Sequence, residues 1–245
     1  MSRPLRLVSY NIHKGIGGLD RLCRLERVAE VLAKIDADVC LLQEVDEGAR
    51  RSHGVRQVDA LGDALGLEHR AYFPNHRLKV GHYGNALLSR FPLRAAENLS
   101  LTLPLHKQRS ALHARIALAG LDHSLWLFNV HLGLAEAERR TQLARLLRRI
   151  DEQHGSRESV VVMGDFNDVW NRLGPAIMLP AGFRSVERPP LTFPAFRPLR
   201  PLDRIFVRGR LRLVRCERAD SPLARRASDH LPLVAELAIG AEATS

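Results

Sequence analysis

The chain has 245 residues, of which 45% are hydrophobic and 26% charged, and its formal net charge is +10. This composition is ordinary for a folded globular protein, and the length suits one large domain or two small ones. No apolar run approaches the roughly 20 residues that a transmembrane helix needs, so the sequence predicts no membrane span.

The first predicted elements form a strand–helix–strand unit. A strand over Leu5–Ile12 is followed by a helix over about 21–35, in which apolar residues recur at helical spacing. A second strand over Asp38–Glu44 follows this helix. No signal peptide precedes the first strand, and the three cysteines lack metal-type spacing, so we expect free thiols and a cytoplasmic protein.

A second unit with the same plan lies further along the chain. It consists of a strand over Leu125–His131, a helix over about 136–152 and a strand over Ser159–Asp165. In both units the first strand ends in Asn-x-His and the second strand ends in an acid. This echo predicts two related halves whose strand ends face each other, with chance repetition as the alternative.

The remaining predicted strands alternate in polarity or are rich in β-formers. In chain order they are His69–Phe73, Asn85–Leu88, Leu93–Leu101, Ser110–Ala117, Asp203–Val207, Leu211–Glu217 and Leu233–Leu237. Proline-rich segments over 187–190 and 194–201 predict loops that are too short to be interdomain linkers. We therefore predict one α/β domain over residues 1–240, with two mostly antiparallel sheets packed face to face, helices on both outer sides, and a frayed tail over 241–245.

Six short motifs resemble those of the endonuclease/exonuclease/phosphatase superfamily, in the expected order. They are Ser9-Tyr10-Asn11, Leu42-Gln43-Glu44-Val45, Asn129-Val130-His131, Gly164-Asp165-Phe166-Asn167, Asp203-Arg204-Ile205 and Ser228-Asp229-His230-Leu231-Pro232. That superfamily includes DNase I-like nucleases, AP endonucleases, neutral sphingomyelinases and inositol-polyphosphate 5-phosphatases. Each motif is weak alone, but six in order are specific. The resemblance implies a four-layer α/β sandwich of the DNase I-like kind and metal-dependent hydrolysis of a phosphodiester or phosphomonoester.

The resemblance also implies a metal site of oxygen ligands. Glu44 is the first candidate ligand, with Asn11 beside it and Asp229 as a third contributor. Oxygen ligands favour Mg²⁺ over Zn²⁺, with Mn²⁺ as an alternative. Considered alone, an acid such as Glu44 at a strand end would more often pair with an arginine.

Five residues receive catalytic roles from the same resemblance. Asp165 orients or deprotonates the attacking water, and Asn167 donates a hydrogen bond to a phosphate oxygen. Asp203 and His230 form an orienting carboxylate–imidazole pair. His131 binds the phosphate or protonates the leaving oxygen, and the general base is either Asp165 or the His230 pair.

Three further residues are predicted to bind the substrate phosphate: Arg109, Asn85 and His13. The guanidinium fork of Arg109 suits this role, although a surface arginine is the structural alternative. AP endonucleases carry an aspartate at the position of His13 and a tyrosine near the position of His82. Cleavage at abasic sites is therefore not implied.

The substrate is left open between two kinds of phosphodiester. The positive charge favours nucleic acid, although only four of the 37 basic residues are lysines, and a general arginine bias would explain the excess equally well. A lipid or phosphoinositide-type headgroup is the alternative. A non-catalytic binding protein on the same fold is a third hypothesis, but the acid, asparagine and histidine set is intact. We expect a monomer.

Overall fold

The computed structural model describes residues 3–118, 124–153 and 158–240, so the predicted tail over 241–245 lies outside the described residues. The strands are β1 Leu5–Asn11, β2 Val39–Glu47, β3 His69–Arg77, β4 His82–Ser89, β5 Leu93–Ser100, β6 Ser110–Ala117, β7 Ser124–His131, β8 Ser159–Asp165, β9 Asp203–Arg208, β10 Leu211–Arg218 and β11 Leu233–Ile239. The helices are α1 Leu25–Ile35, α2 Gln57–Leu65, α3 Glu136–Gln153, α4 Leu173–Met178 and α5 Ala224–Ala227, and short 3₁₀ turns cover His13–Gly15 and Arg50–Ser52. Among the described residues, no helix is long and apolar enough to cross a membrane.

The strands form two sheets, each built around one parallel pair. The six-stranded sheet has the order β10-β11-β1-β2-β4-β3, and the five-stranded sheet has the order β5-β6-β7-β8-β9. β1 pairs in parallel with β2, and β7 in parallel with β8, while all other described neighbours are antiparallel. The helix α1 connects β1 to β2, and the helix α3 connects β7 to β8, because parallel strands need a crossover connection. Both predicted strand–helix–strand units are thereby confirmed.

The two sheets pack face to face through a shared apolar layer. In β1, Leu5 and Leu7 face this central layer, while Val8 and Tyr10 face the helices, as the two-residue period of a strand requires. α1, α2 and α5 cover the outer side of the six-stranded sheet, and α3 and α4 cover the outer side of the other. The predicted four-layer α/β sandwich is confirmed.

Three details differ from the sequence prediction. α2 was not predicted, although Val58 and Leu61 recur at helical spacing and are buried. α1 begins at Leu25 rather than near residue 21, because Arg21 has a positive φ of +57°. β4 begins at His82 rather than at Asn85, because it continues to pair with β2 beyond a bulge.

Candidate active site

Polar side chains meet at one edge of the sandwich, where strands of both sheets end. β1 ends there in the six-stranded sheet, and β7 and β8 end there in the five-stranded sheet. His131, Asp165 and Asp203 stand side by side, because His131 pairs with Asp165 and Asp165 pairs with Asp203 in the strand register. Neighbouring strand ends therefore deliver three of the predicted residues to one place.

Asp165 lies at the centre of this cluster, and one of its carboxylate oxygens faces three other side chains. Asn11 Nδ2 donates a hydrogen bond to Asp165 Oδ2 over 3.1 Å. His131 Nε2 lies 3.6 Å and His230 Nε2 lies 3.8 Å from the same oxygen. The backbone N–H of Asn167 donates to the other oxygen at 2.9 Å. Because Asn11 belongs to one sheet and Asp165 to the other, their contact joins the two halves.

His230 is held in position by a chain of buried hydrogen bonds. Its Nδ1 lies 2.9 Å from Asp203 Oδ2, and the Thr192 hydroxyl donates to that same oxygen. The backbone N–H of His230 donates to Ser228 Oγ at 3.3 Å, and Ser228 Oγ donates to the carbonyl oxygen of Asn11 at 2.7 Å. With Nδ1 bound to Asp203, the other ring nitrogen is left facing Asp165. The sequence did not identify Thr192.

Burial and charge set the protonation of these groups. Burial disfavours the charged imidazole of His230, but the Asp203 and Asp165 carboxylates outweigh it and raise the pKa of His230 to about 10. Burial raises the pKa of Asp165 against the opposing charge of His230. Burial and the charge of Arg109 lower the pKa of His131 well below its usual range. At neutral pH a charged and a neutral imidazole thus flank a carboxylate of raised basicity, a set suited to proton transfer.

Glu44 lies at a bulge and pairs with a lysine. The pairing of β2 with β4 is interrupted between Leu42 and Val45, and Glu44 has a φ of +55°. Such a bulge redirects the side chain relative to a regular strand. The Lys14 ammonium contacts the Glu44 carboxylate. Burial alone would raise the pKa of Glu44, but the Lys14 charge lowers it to about 2, so the carboxylate is ionised. Lys14 was not predicted from the sequence, although a basic residue three positions after the first motif was an available signal.

The predicted metal ligands offer hard oxygen donors. Glu44 supplies an ionised carboxylate, and the Asp229 carboxylate is partly exposed, 3.9 Å from His13 Nδ1. Asn11 Oδ1 already accepts the backbone N–H of His13 at 3.1 Å, so its role as a ligand stays a prediction. Among the described residues, no group of three or more His, Cys, Asp or Glu side chains is arranged so that it could hold a metal ion by itself. Mg²⁺ is usually held by one or two carboxylates together with waters and substrate phosphates, so this donor set fits it.

Arg109 is a buried cation at the edge of the cluster. Its exposure is 8%, and its Nε has no hydrogen-bond partner among the described residues. Its charge acts on His131, which places the guanidinium on the side of the reacting groups. An unpartnered buried donor next to the site suits an anionic ligand.

Asn85 and Asn129 lie between the sheets rather than at the open edge. Both are fully buried. Asn85 Nδ2 lies 3.2 Å from the carbonyl oxygen of Ser110, and Asn129 Nδ2 donates to the carbonyl oxygen of Leu42 at 2.8 Å. Asn129 Oδ1 accepts a hydrogen bond from Gln43 Nε2 at 2.7 Å. These amides tie the two sheets together, and phosphate binding by Asn85 gains no support from its contacts.

Asn167 and His13 are oriented by backbone contacts. Asn167 has a φ of +50°, and its Nδ2 donates to the carbonyl oxygen of Leu132 at 2.9 Å. Its backbone N–H is the group that reaches Asp165. His13 Nδ1 lies 2.9 Å from the carbonyl oxygen of Ile16. Their predicted contacts with a phosphate stay predictions.

A model of the endonuclease/exonuclease/phosphatase family matches residues 8–230. The chain belongs to the endonuclease/exonuclease/phosphatase family. Members of this family are phosphoesterases, and they generally use a divalent metal ion. The family resemblance predicted from the six motifs is thereby confirmed.

Relatives and solved structures of this family match nearly the whole chain. The uncharacterized protein YbhP of Escherichia coli is 33% identical over an alignment of 251 positions, gaps included, that covers 95% of each chain. The endonuclease/exonuclease/phosphatase from Beutenbergia cavernae has a TM-score of 0.79 at 23% identity, covering 98% of this chain and 72% of that one. A mannosyl-6-phosphatase from Bacteroides thetaiotaomicron has a TM-score of 0.72 at 17% identity, covering 96% of this chain and 100% of that one. At these sequence identities, the likeness to the two solved structures shows the fold alone.

Proposed function

We propose that this chain is a Mg²⁺-dependent phosphoesterase that hydrolyses a phosphodiester by direct attack of water. The observation that carries the proposal is the surrounding of one Asp165 oxygen by Asn11, His131 and His230. A buried carboxylate with a raised pKa, oriented by an amide and flanked by two imidazoles, suits the activation of water beside a phosphate.

The residues divide the work by charge. Asp165 orients the water and accepts its proton, and the charged His230 contacts a phosphate oxygen. Asp203 keeps His230 charged and oriented. The neutral His131 contacts the phosphate or the leaving oxygen, and Arg109 binds a further phosphate oxygen.

Glu44 and Asp229 would hold the divalent ion, with Asn11 as a further candidate. When bound, such an ion offsets the negative charge of the phosphate and stabilises the leaving oxygen. Lys14 neutralises the Glu44 carboxylate in its contact with that residue. It would have to move or share the carboxylate when a divalent ion binds.

Nucleic acid is the substrate favoured by net charge, but the arginines are spread over the surface. Exposed pairs such as Arg56–Asp59 and Arg140–Glu136 lie on the outer helices and the loops beside them. Part of the positive charge therefore lies in ion pairs away from the strand-end site, and nucleic acid stays a hypothesis. A lipid headgroup is the second candidate, because large apolar side chains are exposed beside the site. A phosphomonoester, the substrate class in the name of the mannosyl-6-phosphatase, is a third.

Hydrolysis assays test the function directly. Purified protein with Mg²⁺ is incubated with bis-(p-nitrophenyl) phosphate, p-nitrophenyl phosphate, plasmid, abasic duplex and phospholipid vesicles. We expect product from at least one diester, formed about 10²–10⁴-fold more slowly after Asp165→Asn. Product from none of them, under conditions in which the protein is folded, would remove the enzyme hypothesis. Release from p-nitrophenyl phosphate alone would change the proposal to a phosphomonoesterase.

The proposed location is the cytoplasm. Cys23, Cys40 and Cys216 are all free thiols. Free thiols persist in a reducing compartment. Fractionation of cells that express the full chain tests this location.

A further inference from the structure

A hairpin between α4 and β9 has its base fixed to the catalytic residues. Phe193 and Arg200 form an antiparallel bridge that closes the hairpin. The Phe193 ring centroid lies 4.9 Å from that of His230, and the backbone N–H of Ala195 donates to the carbonyl oxygen of Asp229 at 2.7 Å. The base is therefore part of the wall of the site.

The tip of the same hairpin exposes large apolar side chains. Phe196 is 50% exposed and Leu199 is 56% exposed, with the exposed Arg197 between them. Trp170, in the loop that follows the catalytic β8, is 66% exposed, and the Arg200 guanidinium lies 4.4 Å from its ring centroid. We call these five residues the hairpin patch.

Exposure of this kind marks a contact surface. Single exposed apolar residues are common, but a tryptophan, a phenylalanine and a leucine grouped around two arginines beside a site indicate a partner. Trp and Phe at the level of lipid headgroups, together with arginine, are the residue types of surfaces that lie on anionic membranes. The two arginines supply the complementary charge.

The composition of the hairpin patch favours a membrane over a nucleic acid. A platform for single strands stacks bases on free aromatic faces. Arg200 already covers one face of Trp170, and Leu199 has no face on which a base can stack. An aliphatic side chain at a hairpin tip instead suits insertion among acyl chains.

We propose that the hairpin patch docks on an anionic phospholipid membrane and brings a lipid phosphodiester to the site. This substrate class rests on the proposed phosphoesterase function, whereas the docking itself does not. The base of the hairpin reaches His230 and Asp229, so an inserted tip would present headgroups to the groups that act on phosphate.

Vesicle binding without catalysis tests the docking. The full chain is sedimented in EDTA with phosphatidylcholine vesicles, with and without phosphatidylglycerol. We expect binding that increases with the phosphatidylglycerol content and decreases with salt. Trp170 fluorescence should shift to shorter wavelength on binding and be quenched by brominated lipid.

Matched variants assign the binding to the patch. Phe196→Ser with Leu199→Ser should weaken vesicle binding about tenfold or more, and Arg197→Gln should weaken it only where phosphatidylglycerol is present. The control, Leu179→Ser with Val214→Ser, removes two exposed apolar side chains outside the hairpin and should bind as the unaltered protein does. Thermal unfolding of each variant shows that it is folded.

Three outcomes would overturn the proposal. The unaltered protein could fail to bind any vesicle, or the hairpin variant could bind as well as the control. A single-stranded oligonucleotide could instead lose affinity in the hairpin variant, which would make the patch a nucleic-acid contact. Hydrolysis of bis-(p-nitrophenyl) phosphate is measured separately, so failure of the chemistry and failure of the docking remain distinguishable.

Discussion

His230 Nδ1 lies 2.9 Å from Asp203 Oδ2 in a part of the site where both side chains are buried. The carboxylate keeps the imidazole charged at a place where burial would otherwise discharge it. This pair therefore contributes to the stability of the fold as well as to the charge of the site, and the two contributions share one pH dependence.

Asp203→Asn should lower the free energy of unfolding in a pH-dependent way. The pKa of His230 in the folded protein is about 10, above the ordinary histidine value of about 6.5, so the folded state holds an extra proton between these values. The stabilisation is therefore complete below about pH 6.5 and is lost as the pH rises through about 10. In urea unfolding with EDTA present, Asp203→Asn should lower the free energy of unfolding by about 3–5 kcal/mol at a pH of about 6.5. This loss should become smaller as the pH approaches about 10.

Thr192→Val is the matched control for this prediction. It removes the hydrogen bond that the hydroxyl donates to Asp203 Oδ2 and the longer one, 3.4 Å, that it accepts from the Asp203 backbone N–H, and it leaves the charged pair in place. We expect a loss of about 2 kcal/mol with little change over the same pH range. A loss in Asp203→Asn that is equally flat with pH would contradict the assignment of a charged His230.

Asp165→Asn should abolish most of the hydrolysis while the protein stays folded. The amide retains the shape of the side chain but cannot accept the proton of water, so kcat should fall by about 10²–10⁴. Asp168→Asn is the control, because Asp168 lies on the same loop and its carboxylate accepts the backbone N–H of Gly174 at 2.9 Å. That variant keeps an acceptor oxygen and should retain kcat within about threefold. Equal losses in both variants would show a general disturbance of the loop.

The two parallel units could be predicted from sequence because their apolar periodicity is strong and local. The helical spacing in α1 and α3 and the many apolar residues of β1 and β8 reflect burial on one or both faces. α2 escaped prediction because it has nine residues, against 11 in α1 and 18 in α3, so its apolar spacing extends over fewer turns. The pairing of strands from distant parts of the chain, such as β1 with β11, leaves no local pattern and became known only from the structure.

Site residues that lie within the six motifs could be predicted from the sequence. Two site residues outside those motifs were not predicted. Asp165, Asp203 and His230 lie in motifs of recognisable order, and the structure brings them together. Thr192 is isolated in sequence and reaches Asp203 only because the proline-rich hairpin folds back on the site. Lys14 contacts Glu44 from a turn in which Lys14 itself has a φ of +63°. This backbone conformation could not be predicted from the sequence.

Glu44→Gln should weaken binding of Mg²⁺ and Mn²⁺. The carboxylate is ionised, and its loss removes the strongest predicted ligand, so affinity measured by titration calorimetry should fall by at least about 100-fold. Glu47→Gln, on the same strand, removes a carboxylate that pairs with Arg56 and should bind the ion normally. Chelation with EDTA should stop hydrolysis, and added Mg²⁺ or Mn²⁺ should restore it. Unchanged ion affinity in Glu44→Gln would remove Glu44 from the ligand set.

Arg109→Gln should weaken catalysis and change the titration of His131. The buried guanidinium has an unpartnered Nε among the described residues and contributes to the low pKa of His131. Without this charge the pKa of His131 should rise toward its ordinary value, which NMR titration of the imidazole in EDTA can follow. Loss of a phosphate contact should lower kcat/KM by about 100-fold, with partial recovery in Arg109→Lys because lysine keeps the charge without the fork. Arg115→Gln, on β6 six residues after Arg109 and bonded to Ser124, should leave both measurements unchanged. If kcat/KM fell in Arg109→Gln but the pKa of His131 did not change, Arg109 would not lie close to His131 and the assignment would be wrong.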